Sequence, residues 1–287
     1  MIEGEYQGFD VVVDDAGVAL ITLSRPERLN AMSFGTRRDL VEVLGLAQLD
    51  DTVRVVVITA TGRAFCAGMY LTPRGSASEP PTLVPDRPGA AYVPINLVAQ
   101  LNQYSQDLTR AIRRLDKLTI AAVNGYAVQI GLTMALACDY VIAARSATFV
   151  SGTLRMGYQP DEGGHWLLVE QLGVKRALDF MMRKQMVKGE EAERIGLATE
   201  VVDDDALVSR ALELGAELAA GPQVAMRLLK RAIYKAARQT FDEAGDDIAV
   251  RTALSDFHPD AREGGPAWLR HENPVFNAWL DDPQDEH

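Results

Sequence analysis

LTIAAVNGYAVQIGLTMALACDYVIAA, residues 118–144, is the most apolar stretch of the chain, and its reading decides the fold. It has the length of a membrane span, but Asn124, Gly125, Gln129, Gly131 and Asp139 interrupt it. The interruptions divide it into a strand (Leu118–Val123), a loop, a helix (Gly131–Cys138) and a second strand (Tyr140–Ala144). The same pattern extends upstream. Val11–Val13 and Val18–Leu23 are β-rich runs on either side of Asp14-Asp15-Ala16-Gly17 and predict a hairpin. Ser33 or Thr36 is placed to cap a helix running to about Leu49, with Leu40, Val43, Leu44 and Ala47 on one face. Val53–Thr59 is a short, β-branched run suited to a buried strand. Ile95 to Leu115 predicts one helix. The recurring β-β-α order points to an α/β protein with a layered or spiral architecture.

Between Pro73 and Pro94 the chain places six of its thirteen prolines, which predicts a long loop. After about Asp205 the strand signal stops, and Ala206–Ala220, Gln223–Arg238 and Thr240–Ser255 read as three helices followed by an irregular aromatic tail. The expected organisation is a core over residues 1–205, with a proline-rich insert near 72–95, and a helical region over 206–287.

Composition narrows the functional classes. The 287 residues are 47% hydrophobic and 24% charged, as in an ordinary globular protein. With 29 basic and 40 acidic residues the net charge is -11, which argues against a nucleic-acid binder. Two cysteines, Cys66 and Cys138, exclude a disulfide scaffold and suit a reducing compartment. No secretory signal is visible in Met1 to Asp10, so the expected location is the cytoplasm, with no membrane partner. No histidine or cysteine spacing predicts a metal site.

Two segments can present unpaired backbone N–H groups to a ligand. Ala64-Phe65-Cys66-Ala67-Gly68-Met69 follows a strand, and Asn124-Gly125-Tyr126-Ala127 follows another and is expected to open a helix. Two such donors can polarise a thioester carbonyl and stabilise its enolate or tetrahedral anion.

Through these segments the chain resembles the crotonase, or enoyl-CoA hydratase/isomerase, superfamily. The likeness runs from Ser24-Arg25-Pro26-Glu27-Arg28-Leu29-Asn30-Ala31 through Ala64-Phe65-Cys66-Ala67-Gly68 and Ala121-Ala122-Val123-Asn124-Gly125-Tyr126-Ala127. It continues through Leu136-Ala137-Cys138-Asp139, Glu191 to Ala198, and the tail from Asp260 to Phe276. The resemblance implies a crotonase-like spiral of repeated ββα units, a helical C-terminal trimerisation region and an acyl-CoA ligand. Coenzyme A is then part of the substrate and no separate cofactor is implied. The resemblance also implies a homotrimer or dimer of trimers, and an oxyanion hole from the Met69 and Ile130 amides beside Ala67 and Gly68. Arg28 falls where the family often places a basic residue near CoA phosphates; alternatively it is a solvated turn arginine.

The departures matter equally. The two positions where hydratases of this family carry water-handling glutamates are Thr133 and Thr153 here. A threonine hydroxyl is a poor general base, so ordinary hydration through that pair is not expected. Where the family often has three glycines the chain has Gln129-Ile130-Gly131, and Ile130 adds a branched side chain beside the expected thioester. A different acidic pair, Asp161 and Glu162, precedes Gly163-Gly164. By position, Asp161 matches the catalytic acid of dienoyl-CoA isomerases and the nucleophile of chlorobenzoyl-CoA dehalogenases, and Glu162 matches a catalytic aspartate of oxocamphor hydrolase. Such a carboxylate could move an α- or γ-proton or activate water. Alternatively the pair caps the helix starting near Gly164. Isomerisation or hydrolysis is the expected chemistry, and a non-catalytic acyl-CoA-binding protein on the same fold is the alternative. His165, Cys66 and Cys138 read as structural. Arg227, Lys230, Arg231, Lys235 and Arg238 read as a solvated stripe. Met69, Tyr70, Leu71 and Ile95 suggest an apolar or ring-containing acyl group.

Overall fold

The computed structural model describes residues 2–70 and 94–280. The expected insert lies outside them up to residue 93, as do Leu71 and residues 281–287. The hairpin forms and gains a partner: β1 (Gly4–Tyr6), β2 (Phe9–Val13) and β3 (Val18–Leu23) pair antiparallel in that order. Asp14 closes its turn by accepting the Ala16 and Val18 amides on one carboxylate oxygen. α1 (Phe34–Leu49) starts at Ser33, whose hydroxyl accepts the Thr36 amide, so Ser33 is the cap. β4 (Val55–Ala60) follows, buried at every position, then β5 (Ala64–Cys66).

The single helix expected from Ile95 to Leu115 is broken into α2 (Pro94–Gln100), a π-helical turn over Leu101–Ser105, and α3 (Asp107–Arg114). The Arg37 guanidinium takes the Tyr104 carbonyl at 2.7 Å, and Arg110 folds back onto Asn102 and Gln106. Side chains thus supply bonds that compete with a regular ladder. The chain continues as β6 (Leu118–Val123), β7 (Tyr126–Val128), α4 (Ile130–Ala137), β8 (Tyr140–Ala144) and β9 (Thr148–Val150). The Asn124-Gly125 turn therefore leads first into a short strand, and the helix starts only at Ile130. Then come α5 (Gly164–Met182), β10 (Met186–Lys188), α6 (Gly189–Ile195) and β11 (Glu200–Val202).

The strands sort into two sheets. The larger has the order β1-β2-β3-β4-β6-β8-β11, parallel from β3 onward; the smaller has the order β10-β9-β7-β5. Each turn of the chain gives its first strand to the large sheet and its second to the small one: β4 then β5, β6 then β7, β8 then β9. This is the spiral of ββα units that the resemblance implies. The core lies between the sheets and their helices, with β4 and β6 almost wholly buried.

Among the described residues four α-helices, not three, follow β11: α7 (Leu207–Ala220), α8 (Gln223–Ala236), α9 (Phe241–Asp256) and α10 (Pro259–Arg270). α10 forms despite Gly264, Gly265 and Pro266 because His258 caps it, its ring nitrogen accepting the Asp260 amide, with Pro259 at the first turn. The stripe on α8 is not all solvated. Lys230 is buried, its Nζ 2.7 Å from Asp139 Oδ2 and 2.8 Å from the Lys117 carbonyl. Asp139 also accepts Thr119 and the Tyr234 hydroxyl, so this network fastens α8 to the large sheet.

Candidate active site

The two turns expected to present amides are held side by side. Asn30 donates to the Thr61 and Ala64 carbonyls at 2.8 and 2.7 Å, and accepts the Arg25 amide. The next residues strap the turn itself: Ala67 N–H donates to Leu29, Met32 N–H to Gly68, and Tyr70 N–H to Met32. β5 and β7 are parallel, with Cys66 opposite Ala127, so Met69 and Ile130 each stand three residues beyond a register pair. Gly68 has φ +102°, and a Cβ on it would lie 3.5 Å from the Val128 carbonyl. Gly131 is packed harder: a Cβ there would lie 2.3 Å from the Cys66 carbonyl. Ile130 opens α4, so its N–H has no intrahelical acceptor. The Met69 N–H has no backbone acceptor among the described residues.

Behind this pair stands Gln129, a non-glycine residue at φ 51°, ψ -102°. Its buried side chain is bound at both ends. Oε1 accepts the Gly152 and Thr153 amides at 3.1 and 3.3 Å, and Nε2 donates to Glu162 Oε2 at 2.8 Å. Glu162 is 6% exposed. Burial pushes its carboxyl above the ordinary range, the adjacent Asp161 charge adds to this, and the Gln129 bond works against it. Asp161 is half-buried. Both carboxylates line a cavity of about 480 Å³ whose other walls include Arg110, Arg113, Trp166 and Tyr234. Neither one caps α5: Gly163, at φ 95°, takes that position with no side-chain bond. The pair is thus free of the structural duty that the sequence left open for it.

Two of the remaining expected residues, Thr133 and Thr153, meet at Gln129. Thr133 is buried, its hydroxyl donating to the Gln129 carbonyl at 3.0 Å. Thr153 gives its amide to Gln129, while its Oγ1 is buried without a hydrogen-bond partner. Arg28 is exposed, its guanidinium 4.6 Å above the Tyr70 ring. Burial pushes the Cys66 and Cys138 thiols up to about 12, which makes both poor nucleophiles. His165 is exposed on the rim of the cavity. Among the described residues no cluster of metal-ligating side chains forms, and no helix is long and apolar enough to cross a membrane.

Two residues of the site carry no role in the sequence analysis. Gln129 was visible only as a replacement in a glycine-rich turn. Arg37 is 3% exposed and occupies the same face of α1 as Leu40, Leu44 and Ala47. Its signal was a charge at a position where the helical period demands an apolar group.

A family model described as enoyl-CoA hydratase/isomerase matches residues 14–83 and 90–278. The 1,2-epoxyphenylacetyl-CoA isomerase of Escherichia coli K12 is 36% identical over 264 residues, covering 92% of this chain and 96% of the relative. The enoyl-CoA hydratase of Mycobacterium smegmatis superposes with a TM-score of 0.82 at 28% identity, over 94% of this chain and 99% of that one. The enoyl-CoA hydratase of Bacillus anthracis does so with 0.82 at 25% identity, over the same shares.

Proposed function

The chain belongs to the enoyl-CoA hydratase/isomerase family, and from that premise we propose that it is an enzyme acting on an acyl-CoA thioester. The Met69 and Ile130 amides hold the thioester oxygen, and Asp161 and Glu162 move a proton or activate water. The enolate that forms when a proton leaves the α- or γ-carbon is stabilised by the two N–H donors, and returning the proton elsewhere shifts the double bond. In this reading Asp161, the more accessible carboxylate, takes the proton, and Glu162, buried and bound by Gln129, gives one back.

The observation that carries this reading is the buried Gln129–Glu162 bond in a site whose positions 133 and 153 are threonines. An acid is held there and the hydratase carboxylates are not. The E. coli relative, named as an isomerase of a CoA thioester, supports isomerisation over hydration. A homotrimer or dimer of trimers is supported by the large side chains that the last helices leave exposed, among them Phe241, Phe257 and Trp268.

The test is a panel of acyl-CoA thioesters followed by mass spectrometry for isomerised, hydrolysed and hydrated products. Conversion that falls about a hundredfold or more in Asp161→Asn with Glu162→Gln supports the assignment. Unchanged turnover rejects the carboxylates. Binding of thioesters with no conversion of any of them favours the non-catalytic alternative.

A further inference from the structure

A buried guanidinium is costly unless its charge and its five N–H donors are matched. Arg37 falls short on both counts. Nη1 donates to the Tyr104 carbonyl at 2.7 Å; Nη2 meets the Met69 sulfur at 3.3 Å, a weak acceptor; Nε has no hydrogen-bond partner among the described residues. No carboxylate among the described residues pairs with it directly. Asp161 and Glu162 pull on it only through space, against a burial effect that lowers its pKa.

Its position explains what it could match. One edge of the guanidinium touches the side chain of Met69, whose amide is a proposed oxyanion donor. Arg37 also lines a groove of about 240 Å³ between α1 and α3, together with Phe34, Val41, Tyr104 and Asp107, its Nε lying buried beneath the surface. Asp107 is drawn off towards Arg110, 3.6 Å away. An acyl group that ran from the thioester past Met69 towards that groove would meet a cation with an unused donor. The wall that Met69 was expected to make apolar is therefore charged.

We propose that Arg37 is the specificity residue of this site and that the acyl group it selects ends in a carboxylate. This rests on the acyl-CoA reading above and narrows it to ω-carboxyacyl thioesters. A carboxylate would supply both the missing counter-charge and the acceptor for Nε, and charge-assisted pairing of this geometry is strong. A neutral alkyl tail would leave Nε unpaired in a drier pocket.

Calorimetric titration of adipyl-CoA against hexanoyl-CoA, which have the same carbon count, tests this. The wild-type protein should bind adipyl-CoA at least about tenfold tighter. Arg37→Met should abolish the preference, and Arg37→Lys should keep part of it, because the charge remains while the fork is lost. Equal wild-type affinities, or a preference that survives in Arg37→Met, overturn the proposal and leave the acyl-CoA reading standing. Failure of the wild-type protein to bind either thioester or any other CoA thioester overturns both. The wild-type comparison decides the matter even if the methionine variant does not fold.

Discussion

Gln129 Nε2 donates to Glu162 Oε2 at 2.8 Å, between two side chains that are both buried. This bond joins the turn that opens α4 to the turn that opens α5. The backbone of Gln129 is in a region unfavourable for a side-chain-bearing residue, at a cost of order 1–3 kcal/mol. Its amide group offsets that cost by satisfying Gly152, Thr153 and Glu162 at once.

Gln129→Leu should therefore lose about 1–3 kcal/mol of stability in urea unfolding, since it strands polar groups on both sides. It should also move the alkaline limb of the rate profile, where the proton-giving Glu162 loses its proton, to higher pH. The sign follows from the bond, which favours the charged carboxylate and holds the Glu162 pKa down. A limb that stays put or moves to lower pH would contradict the assignment of Glu162 to that limb. Gln129→Gly relieves the backbone while losing the same bonds, so it should be less destabilised than the leucine variant.

Glu162 should leave a mark on folding stability as well. Its pKa in the folded protein is raised above the unfolded value, first by burial and then by Asp161. The folded state thus holds its proton more tightly. The group's contribution to stability is intact below the unfolded pKa of about 4.3 and declines as pH rises through the folded pKa. Glu162→Gln keeps an oxygen for Gln129 and removes the charge. Its stability relative to wild type should improve from pH 4 towards neutrality in paired urea titrations. A gap that is constant across that range would show that Glu162 carries no such shift.

How far the sequence reveals this site depends on segment length and on the distance between partners. The six-residue strands Val18–Leu23 and Leu118–Val123 fall where their apolar runs predict. The three-residue strands Ala64–Cys66, Tyr126–Val128 and Thr148–Val150 do not show, because three residues carry no period. Those short strands are the ones that align Met69 with Ile130. Asp161 and Glu162 stand out as an acidic pair before two glycines, but Gln129 lies 33 positions from Glu162 and nothing local joins them. Arg37 was hidden by its own helix, where an arginine reads as surface until its neighbours are known.

Gly131→Ala tests the alignment of the two amides directly. The added methyl would meet the Cys66 carbonyl at 2.3 Å, and that carbonyl is backbone and cannot swing away. The two turns must part. The expected loss is about 1–3 kcal/mol of stability and about a hundredfold in kcat, the scale of one displaced oxyanion donor. KM should change little, because the donors act on charge that develops in the transition state. A variant that loses stability but keeps its kcat would remove Ile130 and Met69 from the mechanism.

The Lys230–Asp139 pair holds α8 in place. Lys230 and Asp139 are 5% and 9% exposed at their side chains, and no other cation among the described residues pairs with Asp139. Lys230→Met leaves that carboxylate nearly buried with only Thr119 and Tyr234 to solvate it. Removing one member of such a pair costs about 3–5 kcal/mol, while replacing both is far milder. Asp139→Asn should therefore rescue much of the loss in the double variant, as read by urea unfolding. Tyr234 also lines the cavity beside Asp161 and Glu162. The single variant should thus raise KM for any thioester that reaches this wall, and the double variant should restore it. A single variant within about 1 kcal/mol of wild type, the range of an exposed pair, would place Lys230 back among the solvated residues of its stripe and detach the cavity wall from this network.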